Sequence, residues 1–215
     1  MLDPHFGKAL KMIYFYNAEI TKLISSELHA IPPIVQEEAK RYKHENARQA
    51  FIAGRLLLQY ALKETFPHLQ LSDIRYNSYN RPVLDTHYDF NLSHSGNLVV
   101  CALGNLPAVG VDIEECKPLN IEEYKDYISD EEWRNLLKAP DPLAVFYGYW
   151  TAKEAVVKAA GVGITGEFAN ISVVKDRVTF MNKQWHIMPV DLFNGYRCHV
   201  ASAIPETIII KHIEI

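Results

Sequence analysis

Between positions 45 and 64 the apolar residues Ala47, Ala50, Phe51, Gly54, Leu57, Leu58, Ala61 and Leu62 recur at three- and four-residue spacing. That period predicts a long amphipathic helix whose polar face carries Arg48 and Arg55. A second helical block is announced by its start signals. Asn120 with Glu123, and Ser129 with Glu132, each match a capping box, and Asp141 before Pro142 fits an N-cap followed by proline at the first helical position. The last helix is expected to run through Trp150 to about Ala160, with Gly161 and Gly163 as its stop, because glycine accepts the left-handed conformation that closes many helices.

Short runs rich in β-branched and aromatic residues follow each long helix. They lie at 90–93, 98–103 and 108–114 after the first, and at 171–174, 178–181, 185–188, 199–203 and 207–213 after the second. Helix-then-strands thus occurs twice. The segments NLVVCALG and YRCHVASAI hint at a duplicated α+β unit, with a junction at residues 104–107 dividing the chain into halves 1–105 and 106–215.

Composition changes this picture little. With 215 residues, 48% of them apolar, the chain can bury a substantial core as one large or two small domains. A formal charge of −4 disfavours a sequence-independent nucleic-acid binder, which needs a global positive excess. Cys101, Cys116 and Cys198 are far apart and form no CxxC pair, so neither a disulfide framework nor a zinc knuckle is legible and a reducing cytoplasm is expected. The amino terminus has no export leader and no stretch reaches 18 apolar residues, so no membrane span is expected.

Four features carry candidate chemistry. In GVDIE (110–114), strand alternation sends Val109, Val111 and Ile113 to one face and Gly110, Asp112 and Glu114 to the other. Two anions on one face repel unless a cation lies between them, and a hard divalent ion with oxygen ligands suits that gap. Taken alone, a DxE more often marks a strand end meeting water. In WTAKEAVVK (150–158), Trp150, Glu154 and Lys158 are four apart and line up along one side of a helix, adding a third carboxylate and a cation. By itself this spacing better fits a solvated Glu–Lys pair.

In FNLSHSG (90–96), Ser93 and His94 end a strand just before a turn, where they can offer hydrogen bonds to a phosphate; a lone histidine is more often structural, and no second one stands at ligand spacing. The last feature is cationic: Arg41, Arg48, Arg55, Arg81, Lys153 and Lys158 could together offset a polyanionic ligand within an acidic protein.

DxE after FNxSHSG, followed about forty residues later by WxxKExxxK, resembles the 4′-phosphopantetheinyl transferase superfamily. The Arg-Pro turn before SHSG and RQAFIAGRLLL (48–58) are similar to its monomeric, surfactin-synthetase-activating type, over residues 41–164. The resemblance implies a pseudo-twofold α+β fold, each half a long helix packed on an antiparallel sheet, with coenzyme A in the cleft between them. It implies that Asp112, Glu114 and Glu154 hold Mg²⁺ or Mn²⁺. Ser93, His94, Lys153 and Lys158 would contact phosphate oxygens, Arg81 would bind the coenzyme, and Arg41 and Arg48 are candidates for its 3′-phosphate. The catalytic group would be Glu154, Lys158 and His94, and the partner an apo acyl or peptidyl carrier protein, with neither nucleic acid nor membrane involved. Two rivals remain at this point: a coenzyme A or nucleotide-binding regulatory module without catalysis, and a Mg²⁺-dependent phosphohydrolase with water as acceptor.

Overall fold

The computed structural model describes residues 12–27, 31–84, 87–106, 108–162, 168–204 and 207–212. Gly163, residue 107 of the expected junction and residue 213 of the last expected strand lie outside them. In chain order the elements are β1 (Met12–Glu19), α1 (Ile20–Glu27), α2 (Pro33–Ala39), α3 (Glu45–Thr65), β2 (Ile74–Tyr76), β3 (Pro82–Leu84), β4 (Asp89–Ser95), β5 (Leu98–Gly104) and β6 (Val109–Glu115). They continue with α4 (Asp130–Lys138), α5 (Pro142–Ala160), β7 (Val173–Val174), β8 (Arg177–Phe180), β9 (Lys183–Pro189), β10 (Tyr196–Ser202) and β11 (Thr207–His212).

The fold class is α+β, as expected. Among the described residues, one sheet has the order β11-β1-β5-β4 and a second β6-β10-β9-β8-β7, with β2-β3 a small ribbon beside them. Most pairings are antiparallel, but β11 returns from the end of the chain to pair in parallel with β1. The strand β1, MIYFYNAE, is central to its sheet and buried along most of its length. Buried on both faces, it has no clean two-residue alternation, so the rule that exposes half-buried strands does not find it.

The molecule is layered. Helix α3 packs on one face of the first sheet, through Leu57, Leu58, Phe90, Val99 and Cys101. The other face of that sheet meets the second sheet in a core that includes Phe15, Val100, Val109, Val111, Ile113 and Val200. Helix α5 covers the far side through Ala152, Ala155, Val156 and Ala159. The alternation expected of β6 is seen: its valines and Ile113 enter the core between the sheets, and its even-numbered residues turn toward α5.

Most start and stop signals act as expected. Ser129 and Glu132 form a reciprocal capping box on α4, the Asp141 side chain accepts from the N–H of Ala144 at the head of α5, and Gly161 closes α5 at φ +74°. Asn120 is the exception. It precedes a 3₁₀ turn (Ile121–Tyr127), and its side chain caps no backbone N–H; it donates instead to Glu123 Oε1 at 2.9 Å, so the two side chains satisfy each other and the backbone exchange of a capping box is forgone.

Candidate active site in the cleft between the sheets

The site is built where the edge strands β4 and β6 meet. No backbone ladder joins them. Instead the polar residues of β4 accept the backbone N–H groups of β6: Asp89 from Val109 (2.8 Å), Asn91 from Val111 (3.0 Å), Ser93 from Ile113 (3.4 Å) and Ser95 from Glu115 (3.0 Å). Each partner lies 20 positions further along, so the two strands run parallel in a constant register. The alternation D-N-S-S in DFNLSHS thus satisfies an otherwise orphaned strand edge and draws Ser93 and Ser95 up to the acidic face of β6.

Helix α5 closes on the same face. A Cβ on Gly110 would lie 2.0 Å from the carbonyl oxygen of Ala155 and 2.5 Å from the nitrogen of Ala159. Only glycine allows the helix backbone to lie that close to the strand, and Glu154 and Lys158 flank the contact. Lys158 Nζ then stands 2.6 Å from Asp112 Oδ1 and donates to Ser93 Oγ at 3.0 Å, while Ser93 donates to Asp112 Oδ1 at 2.9 Å. Ser95 donates to Glu114 Oε2 at 2.8 Å.

The electrostatics of this group call for positive charge. Glu154 is buried, and the loss of water around it, followed by the charges of Asp112 and Glu114, pushes its pKa up to about 7 against the pull of Lys158. Burial also raises Glu114, opposed by the Ser95 hydroxyl. Asp112 Oδ2 is buried without a hydrogen-bond partner. Among the described residues, no three acids, histidines or cysteines already converge into a ligand cage, and Lys158 holds the one oxygen of Asp112 that is bonded. The donor set nevertheless fits a hard divalent cation: three carboxylates, two of them raised, and one orphaned buried oxygen.

Other expected site residues fall differently. Lys153 is fully buried on the opposite side of α5, 2.8 Å from Glu132 Oε2 and donating to the Tyr127 carbonyl at 2.9 Å. Glu132 also accepts the N–H of Val173 and of Ser129, so Lys153 ties α4, the 3₁₀ turn and β7 together and cannot reach a phosphate in the cleft. Its position next to Glu154 in sequence turns it about 100° away around the helix. Arg81 is likewise committed. Its guanidinium forks onto both oxygens of Asp89 (2.9 and 2.8 Å) and donates to the carbonyls of Lys158, Phe90 and Val109. As placed, it rivets the β2–β3 ribbon, β4, β6 and the end of α5 and does not present a free fork to a ligand. Arg48 pairs with Glu45 on the surface of α3, and Trp150 packs among Tyr124, Tyr127, Phe146 and Phe168 as ordinary core.

Beside the acid group a groove of about 650 Å³ runs between α2, α3, the β2–β3 ribbon and β4. Ser93 and His94 line its inner end, next to Lys158 and Asp112. Loss of water and then the Lys158 charge hold His94 below the usual imidazole range. Further out stand Arg41 and a stacked pair, Tyr42 and Phe51, with ring centres 4.9 Å apart. Arg55 also lines the groove, with Glu38 and Tyr76. Of these, Arg55 was legible as one of the six candidate cations; Glu38, Tyr76 and the aromatic pair were not, since nothing in the sequence shows that α2, α3 and the ribbon bring them together.

Comparison with known proteins adds two family models and several relatives. Residues 108–201 match the 4′-phosphopantetheinyl transferase superfamily, and residues 20–105 match the amino-terminal region of 4′-phosphopantetheinyl transferase. The chain is 29% identical over 191 residues to 4′-phosphopantetheinyl transferase Sfp of Bacillus subtilis, covering 82% of this chain and 84% of that protein. It is 33% identical over 136 residues to 4′-phosphopantetheinyl transferase gsp of Aneurinibacillus migulanus, covering 60% of this chain and 57% of that one. A crystal structure of Thermotoga maritima holo-[acyl-carrier-protein] synthase aligns with 44% of this chain and 61% of its own at 18% identity, with a TM-score of 0.35.

Proposed function

Since the chain belongs to the 4′-phosphopantetheinyl transferase superfamily, we propose that it moves the 4′-phosphopantetheine group of coenzyme A onto a serine of an apo acyl or peptidyl carrier protein. The serine oxygen attacks the β-phosphorus of the diphosphate, the bond from that phosphorus to the bridging oxygen breaks, and adenosine 3′,5′-bisphosphate leaves with the bridging oxygen. The serine proton passes to a base of the protein.

One observation carries the reading: a salt-bridged Lys158–Asp112–Ser93 group beside two raised carboxylates, at the inner end of a groove of about 650 Å³. Asp112, Glu114 and Glu154 would hold Mg²⁺ or Mn²⁺. When bound, the cation neutralises diphosphate charge and stabilises the transition state. Lys158 would turn its ammonium toward the leaving oxygen, and Ser93, whose one O–H goes to Asp112 here, would turn it to a phosphate oxygen. His94, kept neutral, offers an N–H to the same diphosphate. Glu154 is our choice for the base, acting directly or through a water, because it would lie beside the reacting phosphate. In the outer groove, Tyr42 and Phe51 supply an aromatic wall for a base, and Arg41 supplies a cation.

We read residues 1–105 and 106–215 as two halves of one duplicated plan, each laying a long helix, α3 or α5, on a sheet. A monomer in the reducing cytoplasm is the matching setting; three unpaired cysteines support it, and no described helix is long and apolar enough to cross a membrane. The deciding experiment is the mass of an apo carrier protein incubated with the chain, Mg²⁺ and coenzyme A. Phosphopantetheinylation of the carrier, absent without coenzyme A, supports transfer; coenzyme A cleavage with an unchanged carrier would convert the reading to hydrolysis, and binding without either product to a regulatory module.

A further inference from the structure

The outer groove carries a charge that works against an anionic ligand. Glu38 of α2 lines it, across from Arg55 of α3. Arg55 donates to the hydroxyl of Tyr76 at 3.0 Å, and that hydroxyl donates in turn to the two carboxylate oxygens of Glu38 at 3.3 and 3.4 Å. The Arg55 guanidinium also lies 5.0 Å over the ring of Phe51 and 3.9 Å from Glu38. The side chain of Arg55 is 8% exposed and that of Glu38 23%, so the two charges cancel where water screens them poorly. Arg41 is then the cation of the outer groove with no carboxylate within 4 Å among the described residues.

Resting on the reading that coenzyme A occupies this groove, we propose that Glu38 is a specificity-determining residue that removes most of the advantage of a 3′-phosphate on the donor. A phosphate monoester carries close to two negative charges near neutrality and is held well by two or more charge-assisted forks. Here it would meet one free arginine, and to recruit Arg55 it would have to displace Tyr76 and stand against the Glu38 carboxylate. Donor affinity then comes from the diphosphate at Ser93 and Lys158 and from the base against Tyr42 and Phe51, which a donor lacking the 3′-phosphate supplies equally. The chain accepts coenzyme A and 3′-dephospho-coenzyme A almost alike.

Titration calorimetry of the intact protein with each donor, in the presence of Mg²⁺, tests this. We expect the two dissociation constants to agree within about threefold in the wild type. Glu38→Gln, which frees Arg55, is expected to widen the preference for coenzyme A by about tenfold, the scale of one charge-assisted bond gained. A wild-type preference for coenzyme A above about thirtyfold would overturn the inference, since that is the scale of a well-paired phosphate; so would a ratio that Glu38→Gln leaves unchanged. The wild-type ratio needs no variant, so the test survives if Glu38→Gln does not fold. Failure of either donor to bind would instead overturn the functional reading and this inference together.

Discussion

The two long helices pack on different sheets and are seated in different ways. Helix α5 lies on β6 main chain to main chain: at Gly110 no side chain fits between them, and Lys158 reaches Asp112 because of that closeness. Helix α3 lies on its sheet through side chains. A Cβ on its Gly54 would meet Leu92 at an ordinary 3.5 Å, and its arginines find partners among α2, the β2–β3 ribbon and their own helix. A backbone contact leaves a few positions no freedom, so a reactive group can be built on it to a fraction of an ångström. A side-chain contact can be rebuilt around a different ligand. The proposed function accordingly puts the chemistry on the α5 side and donor recognition on the α3 side.

The sharpest way to break this contrast is Asp112→Ala. It removes the residue on which Lys158, Ser93 and the expected cation all depend, and we expect transfer to a carrier to fall by about a thousandfold with the far-ultraviolet circular dichroism unchanged. Full activity in magnesium would reject the acid group as the reactive centre.

Next in size are the two arginines. Arg81→Ala leaves Asp89 buried without its fork, and is expected to lose about 3 to 5 kcal/mol in urea unfolding. Arg48→Ala, on the exposed flank of α3, should change stability by less than about 0.5 kcal/mol and donor affinity by less than twofold. A large effect on donor affinity from Arg48→Ala would return that residue to the groove.

The glycines test the seating itself. Gly110→Ala is expected to cost about 3 kcal/mol, by forcing α5 off the strand, and to reduce turnover more than the stability loss explains. Gly54→Ala meets only van der Waals contact and should be neutral or stabilising by up to about 1 kcal/mol, as alanine is in a helix. Equal destabilisation by both would erase the distinction between the helices.

The last test carries a pH signature. Folding raises the Glu154 pKa from 4.5 to about 7, so the folded protein holds this proton more tightly than the unfolded chain. Stability from this group is therefore full below pH 4.5 and is lost as pH rises through 7. In a chelator, Glu154→Gln should raise the unfolding free energy at pH 8 by about 1 to 3 kcal/mol and not at pH 4.5, while its turnover with magnesium collapses. A stability gain independent of pH would show that burial of the charge is not the cause.

How much of this was legible in the sequence follows the same division. The 3.6-residue period revealed α3, capping signals α4 and α5, and β-branched runs the longer strands after them, but not β1, which is buried on both sides, nor the short α1, α2, β2 and β3. Fixed local periods put the even positions of β6 on one face, and Glu154 and Lys158 on one side of a helix; that the two surfaces meet was implied only by the family resemblance. The periods could not say which way neighbouring residues turn once packed: Lys153 is one residue from Glu154 yet ties α4 to α5. Nor could they show that Arg81 would be consumed by Asp89 and three carbonyls.

By itself, then, the chain's sequence determined the long helices, most of the strands after them and the faces of β6 and α5, since these depend on spacings of four residues or fewer, while the candidate site residues were picked out by their resemblance to a family's motifs. Tertiary structure decided which charges remain free to meet a ligand and which are neutralised by the protein. Glu38, Arg55 and Tyr76 become neighbours only when α2, α3 and the β2–β3 ribbon pack together, and a charge acts through what stands within a few ångströms of it, whatever its distance along the chain.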